Sequence, residues 1–595
     1  MKTSRRRVVL ALGSTVLVPL MGADAFAQTP SRADRAFEAL GRRWLDRSMR
    51  LSPVSATGTG DHRFDREIDD VSAAGRNAGL RFAHDTLRQL EAIDKTQLSR
   101  ANQVDYAILG NSLRAGIWQT ETWQTWAWNP LGYQGLAGGA LYSLMAREFA
   151  PLPQRLESAI YRLEKMPRLL EQTRAALVPS RVPAPHAATY AAQNPGLKSI
   201  VTGMIEPHKG ELSASKQQRL ERAIAAFNAA VDEHQTWITE TLVPAAQADF
   251  RAGAETFDTQ LGYTLLSNLS RADIRSRADA AVISVRQEMY QVSKQALAGR
   301  PGAPATPEAP TPEQQQAVIR AALDIAAAER PARDHLVEDA TAATEEARRF
   351  VIEHDLITLP EGPVRVILMP EFQRGFAVAY CDSPGPLERN LETFYAISPI
   401  PDDWSEEQAT SFLREYNNRA ILDIGVHEAM PGHYVQIFHS NRYPSTLRAV
   451  LGSGSFVEGW AVYAEEMMCE EGFRANDPLY RLSQLKVQLR TITNAIIDQA
   501  IHVDGMTQEQ MMTFLTQTAF QEEREAAGKW RRAQLSVTQL STYFVGFQEH
   551  LETRVAARQK QGAAFNLKAY HDGVLAYGSP PGRFARQLLL DEPIQ

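Results

Sequence analysis

The run HEAMPGH, His427 to His433, holds the residues of this chain best suited to metal chemistry. Neutral imidazoles bind zinc, and a glutamate directly after the first histidine stands where a general base for a metal-activated water belongs. The spacing departs from the helical zinc-hydrolase motif, in which the two histidines are four apart on one face. At 3.6 residues per turn, a separation of six leaves two side chains ~120° apart, against ~40° for a separation of four. An undistorted helix could not aim His427 and His433 at one ion. The residues that make up the difference are Pro431 and Gly432. Proline removes an amide donor and clashes with the preceding turn, and glycine tolerates unusual backbone angles. The sequence therefore predicts a bulge or break that carries His433 back toward His427.

A catalytic zinc takes three protein ligands and keeps one position open. The third expected ligand is Glu458, in SFVEGWAVYAEEMMCEEG, a segment that reads as a helix ending at Gly472. A carboxylate near a helix start also serves the macrodipole, and that is the ordinary explanation for Glu458 taken alone. Glu465 lies two turns further along the same stripe, placed to orient a ligand imidazole through its second nitrogen. The expectation is one Zn2+ per chain on His427, His433 and Glu458, with Glu428 as base and Glu465 behind a ligand. It rests on the constellation, because isolated His-Glu pairs are common.

Around these residues the chain reads as mainly α. Arg32 to Leu51, Leu98 to Trp118, Gln154 to Leu177, Lys216 to Leu242, Ser270 to Ala298 and Pro312 to His354 carry apolar residues at three- and four-residue spacing. The texture changes just before the motif. VRVILMP (Val364 to Pro370), FAVAYCD (Phe376 to Asp382) and ETFYAIS (Glu392 to Ser398) read as three strands of a small antiparallel sheet. SEEQ, from Ser405, then fits a capping box that opens a helix. The Pro- and Ala-rich stretch Gly299 to Gln314 cannot build a core and reads as an exposed loop.

The first residues have another purpose. Arg5, Arg6 and Arg7 precede a mildly apolar run, and Ala25-Phe26-Ala27 supplies a small-residue cleavage site, so residues 1–27 read as a signal peptide of the twin-arginine type. Export by that route would let the chain fold and take up metal inside the cell. The expected location is the periplasm or outside the cell, and no cysteine beside the cleavage site suggests a lipid anchor. No later stretch has the length of a membrane span. A net charge of −7 with no basic stripe speaks against a nucleic-acid partner. Cys381 and Cys469 are the only cysteines, too few to read as a disulfide framework, though an oxidising compartment would permit their pairing.

At HEAMPGHYVQ, EGWAVYAEE, IIDQAIHVDGMTQEQ, QLSTYFVG and YHDGVLAYG the chain resembles a large bacterial family catalogued as domain of unknown function 885. LSPVSATGTGDHRFD and WNPLGY extend the resemblance upstream, which implies that residues 31–595 form a single large unit. That family is grouped with zinc peptidases whose third ligand is glutamate (gluzincins). The grouping implies a helical fold around a deep cleft roofed by a small sheet. It assigns His427, His433 and Glu458 as ligands and Glu428 as base, and supplies no substrate. The Pro-Gly insertion departs from the standard motif and makes His433 the least secure ligand.

Zinc peptidases also need a donor for the oxyanion that forms at the scissile carbonyl. Tyr543 is the first candidate and His502 the second; the ordinary alternatives are a core tyrosine and a histidine serving a helix end. Arg490 and Arg554 are candidates for binding a substrate carboxylate, with ion pairing to nearby glutamates as their ordinary alternative. His439, His550 and His571 read as structural. The chain is therefore expected to be an exported zinc metallopeptidase acting on short peptides. An inactive peptide-binding protein, or a zinc hydrolase of a non-peptide amide or ester, are the competing readings. End or internal cleavage, sequence preference and oligomeric state are not encoded in any motif.

Overall fold

A computed structural model describes residues 30–374, 378–388 and 390–595; the expected signal peptide lies outside the described residues. The architecture is mainly α with one three-stranded sheet. Local signals locate most helices well. Ser31 caps the helix Arg32–Leu51 in a capping box with Asp34, and Ser405 does the same with Gln408 for Glu406–Glu415. The segment expected as one helix from Pro312 to His354 is two, Pro312–Ala328 and Leu336–Glu353. Pro331 lies in the gap; it removes a helical donor and disfavours helical angles at Arg330, so the chain turns there. The Pro/Ala-rich loop is shorter than expected, because Thr311 already caps the second of its flanking helices.

The sheet corrects an expectation. β1 (Val364–Leu368), β2 (Ala379–Asp382) and β3 (Thr393–Ile397) occur where the sequence places them, but their order is β1-β3-β2. β3 pairs parallel with β1 and antiparallel with β2, so the sheet is mixed and not purely antiparallel. Strand direction is set by where β3 inserts, which alternation within a strand does not encode. β3 is buried along its whole length, as a central strand should be. Cys381 lies opposite Tyr395, and Val366 also pairs with Tyr395, so these three share one face.

Below that face lies the larger core. It is built by α1 (Leu336–Glu353), α2 (Asn418–Glu428), α3 (His433–Ser440) and α4 (Gly454–Glu470), with α5 (Pro478–His502), α6 (Glu523–Leu535) and α7 (Ser541–Gln561) packed around them. The N-terminal helices carry a separate core centred on Leu152–Ala176. A fully buried Arg448 joins the two parts, with Nε 2.6 Å from Asp105 and other nitrogens on the carbonyls of Ala101 and Tyr577. An arginine buried there with all these partners filled is a fixed joint, because removing one partner would strand a charge.

Candidate metal centre

Helix α2 starts at Asn417, whose side chain accepts from the amides of Arg419 and Ala420, and it ends at Glu428. Ala429 leaves helical geometry at φ −126°, ψ −74°, the Met430–Pro431 peptide is cis, and α3 begins at His433. The expected distortion is thus a full break. The chain folds back against the last turn of α2, where the Gly432 amide donates to Val426 O at 2.9 Å. A Cβ at Gly432 would stand 1.8 Å from His427 O and 2.4 Å from Val426 O, so glycine is required by space and not by its angles. Trp460, fully buried on α4, donates from Nε1 to Pro431 O at 2.9 Å and ties the break to the next helix. The result sets the His427 and His433 rings 4.7 Å apart, at 89° to one another.

Glu458 completes the group. Ser453 caps α4, which leaves Glu458 beyond the first residues of the helix and free of the capping role. Its Oε2 lies 3.4 Å from His433 Nε2 and 3.8 Å from His427 Nε2. One donor atom from each of His427, His433 and Glu458 lies within 4.8 Å of the others. Side-chain exposures of 16 %, 10 % and 22 % show that the three groups are not sealed from solvent, which suits a catalytic site better than a closed structural one. Behind His427, Nδ1 is 2.6 Å from Glu465 Oε1, on a carboxylate almost wholly buried. That bond places the ring proton on Nδ1 and leaves Nε2 facing His433 and Glu458. His433 has no such support; its Nδ1 is enclosed and unpartnered.

The charges reflect this crowding. Burial alone would lower the His427 imidazole, but Glu458 and Glu465 hold it well above the usual histidine range. Burial pushes the Glu458 carboxyl up, and the two imidazoles outweigh it and hold the group far below the usual range. Two nitrogens and one carboxylate oxygen, the near one oriented by a second carboxylate, form a donor set that fits zinc.

Glu428 stands beside His427 with its Oε2 enclosed and without a hydrogen-bond partner. Its charge acts on Tyr395 of β3 and Cys381 of β2, so it lies within electrostatic reach of the sheet's inner face. A buried carboxylate oxygen without a partner is costly, and such groups recur where a ligand is to be met.

Tyr543 is set against the helix that carries Glu458 by two glycines. α4 and α7 cross backbone to backbone, where a Cβ at Gly459 would meet Gly546 C at 2.2 Å and one at Gly546 would meet Ser455 O at 1.8 Å. Gly459 follows Glu458, and Tyr543 is one turn before Gly546, so the crossing sets the tyrosine beside the ligand helix. Its hydroxyl oxygen accepts from Arg532 Nη2 at 2.7 Å and Gln539 Nε2 at 3.3 Å, which leaves its own hydrogen to donate.

The other candidates are placed differently. His502 Nε2 donates to the carbonyls of Ala533 at 2.8 Å and Ser536 at 2.9 Å, and Nδ1 accepts from the Ala252 amide. With both nitrogens engaged, its imidazole has no hydrogen to spare. Arg490 pairs with Glu525 and Tyr416, and Arg554 with Glu470 and Tyr463. Both follow the ion-pair alternative. His439, His550 and His571 each bond a backbone carbonyl, from Thr358, Phe456 and Leu356. Cys381 and Cys469 are free thiols, raised by burial. Arg532 carries no motif signal, and only the fold puts it against Tyr543.

A family described as "Bacterial protein of unknown function (DUF885)" matches residues 53–589. The chain is similar in structure to a candidate lipoprotein of unknown function from Shewanella oneidensis, at 31 % identity and a TM-score of 0.76, over 93 % of this chain and 99 % of that one. A candidate lipoprotein from Colwellia psychrerythraea shares the fold at 16 % identity and a TM-score of 0.75, over 94 % of this chain and 99 % of that one. No curated protein matches the chain. Among the described residues, no helix is long and apolar enough to cross a membrane.

Proposed function

The chain belongs to the DUF885 family of bacterial proteins, and from that premise we propose that it is an exported zinc-dependent hydrolase, a peptidase of the glutamate-zincin type acting on short peptides. The observation that carries the proposal is the convergence of His427, His433 and Glu458, none of them sealed from solvent, with the unpartnered Glu428 oxygen beside them. Export is supported by the N-terminal leader and by the candidate lipoproteins it is similar to.

Zinc held by His427, His433 and Glu458 would supply Lewis-acid activation of water and of the scissile carbonyl. Glu465 holds the proton on His427 Nδ1 and fixes the ring's aim. Glu428 takes the proton of the attacking water onto its free oxygen and passes it to the departing amine. Tyr543 donates its hydroxyl hydrogen to the oxyanion, held in place by Arg532 and Gln539. β2 pairs only with β3 among the described residues, which leaves its outer edge for an extended peptide to hydrogen-bond along. Amide substrates are favoured for that reason.

The test combines metal analysis of the purified protein with mass-spectrometric profiling of a mixed peptide library. The expected result is about one zinc per chain and defined cleavage products. Glu428→Gln should keep the metal and lose ~100- to 10,000-fold in turnover, the range for a general base. Full activity in that variant removes Glu428 from the reaction, and a chain that takes up no zinc removes the reading altogether.

A further inference from the structure

We infer that Arg532 is the receptor for a carboxylate carried by the substrate, next to the metal centre. The inference rests on the hydrolase reading and adds a substrate class to it.

Arg532, on α6, is partly buried and has no carboxylate within ion-pair distance among the described residues, whereas its neighbours are matched. Arg490 pairs with Glu525 at 3.2 Å, Lys486 with Glu415 at 2.7 Å, and Arg414 with Glu522 at 3.1 Å and also Asp324. Glu525 is moreover shared with the buried Lys529 at 3.8 Å, and it accepts from Tyr416 at 2.7 Å. One carboxylate thus serves two cations, with Arg532 as a third and unmatched one. A partly buried guanidinium that feels carboxylates only at a distance, with none in contact, keeps its fork available for one that arrives.

The geometry says what kind of group that is. Both hydrogen bonds of the guanidinium leave from Nη2, to Tyr543 Oη at 2.7 Å and Gln539 Oε1 at 3.0 Å. Among the described residues Nε and Nη1 bond nothing, and neither is sealed from solvent. A guanidinium held on one side with free donors on the other presents the fork that matches a planar carboxylate. It is also near the chemistry. Tyr543 sits on the helix that crosses α4 at Gly459, and Glu458 is among the charges that act on Arg532. The carboxylate it receives therefore lies close to the scissile amide. Two sources share that chemistry: the C-terminal carboxylate of a short peptide and an acidic side chain beside the cleaved bond.

The test uses the zinc-loaded full chain with a peptide as its free acid, the same peptide as its C-terminal amide without acidic residues, and a series of that amide with glutamate introduced at each position in turn. Binding is read by calorimetry in the Glu428→Gln protein, and kcat and KM are read in the wild type. The free acid, or one of the glutamate-bearing amides, should bind ~10- to 150-fold more tightly than the plain amide, the range for a hydrogen bond to a charged group. Arg532→Gln should remove that advantage and leave binding of the plain amide unchanged, and Arg532→Lys should restore part of it. Recovery by a glutamate-bearing amide assigns the receptor to a side chain; no recovery assigns it to the chain end. Equal binding of the acid, the plain amide and every glutamate-bearing amide by the Arg532-intact protein overturns the inference without any Arg532 variant. Because Arg532 also holds Tyr543, Arg532→Gln should lower kcat for every peptide; the inference is overturned if that variant keeps the wild-type difference in binding between the carboxylate-bearing peptide and the plain amide. A chain that holds no zinc and cleaves nothing sinks the hydrolase reading separately, because the acid-amide binding difference is still measured.

Discussion

Replacing Gly432 by alanine tests whether the helix break is what creates the metal centre. The added methyl would fall 1.8 Å from His427 O and 2.4 Å from Val426 O, both backbone atoms of the turn it lies against. Carbon and carbonyl oxygen approach no closer than about 3.3 Å in ordinary contacts, so the turn must open by about 1.5 Å. Overpacking of this kind costs about 1–3 kcal/mol. Loss of the 2.9 Å bond from the Gly432 amide to Val426 O adds about 1 kcal/mol. Metal ligands tolerate deviations of only about 0.2 Å, and His433 is the next residue with no second hydrogen bond to hold it. Zinc affinity should then fall by at least ~100-fold, beyond the ~10- to 100-fold cost of losing a supporting residue. The assay is chelator competition with zinc content after dialysis, beside thermal unfolding of the metal-free protein. Gly454→Ala is the control, since nothing lies within 4 Å of a Cβ there. A Gly432→Ala protein with wild-type zinc affinity and melting temperature would refute the claim that the fold-back at Pro431-Gly432 brings the two imidazoles together.

Two further outcomes follow from the same geometry. Glu465→Gln keeps the size of the side chain but removes the carboxylate from His427 Nδ1, so zinc should bind ~10- to 100-fold more weakly; affinity within twofold of wild type contradicts that support role. Zinc affinity should strengthen as pH rises, by up to about tenfold per pH unit, because the metal must displace the proton that Glu458 and Glu465, against burial, hold on His427 above the usual range. The same raised value stabilises the metal-free fold below the unfolded imidazole's pKa and loses that effect as pH climbs through the folded one. Competition titrations across pH 6 to 8, roughly the window for a perturbed imidazole, would show a flat profile if His427 carries no such proton.

The sequence by itself determined whatever depends on near neighbours. Ser31, Ser405 and Thr311 cap their helices because a hydroxyl reaches an amide three residues on. Pro431 marks the break because its own covalent structure removes a helical donor, whereas the need for glycine at 432 comes from the space left by the folded-back turn. The convergence of the two histidines and Glu458, the proposed ligands, was legible because metal ligation restricts residue types sharply, although which of the two remedies joined them, bulge or break, was not. Tertiary structure decided the rest. The direction of β3 against β1 and β2 depends on the order in which three similar strands meet. His502 was drawn to the Ala533 and Ser536 carbonyls, and Arg490 and Arg554 to Glu525 and Glu470, by packing between segments far apart in the chain. Arg532 acquires its role only because Gly459 and Gly546 let two helices touch and so set Tyr543 where that guanidinium can reach it. A charge is matched or left unmatched by what surrounds it in space, and a linear order of residues does not contain that information.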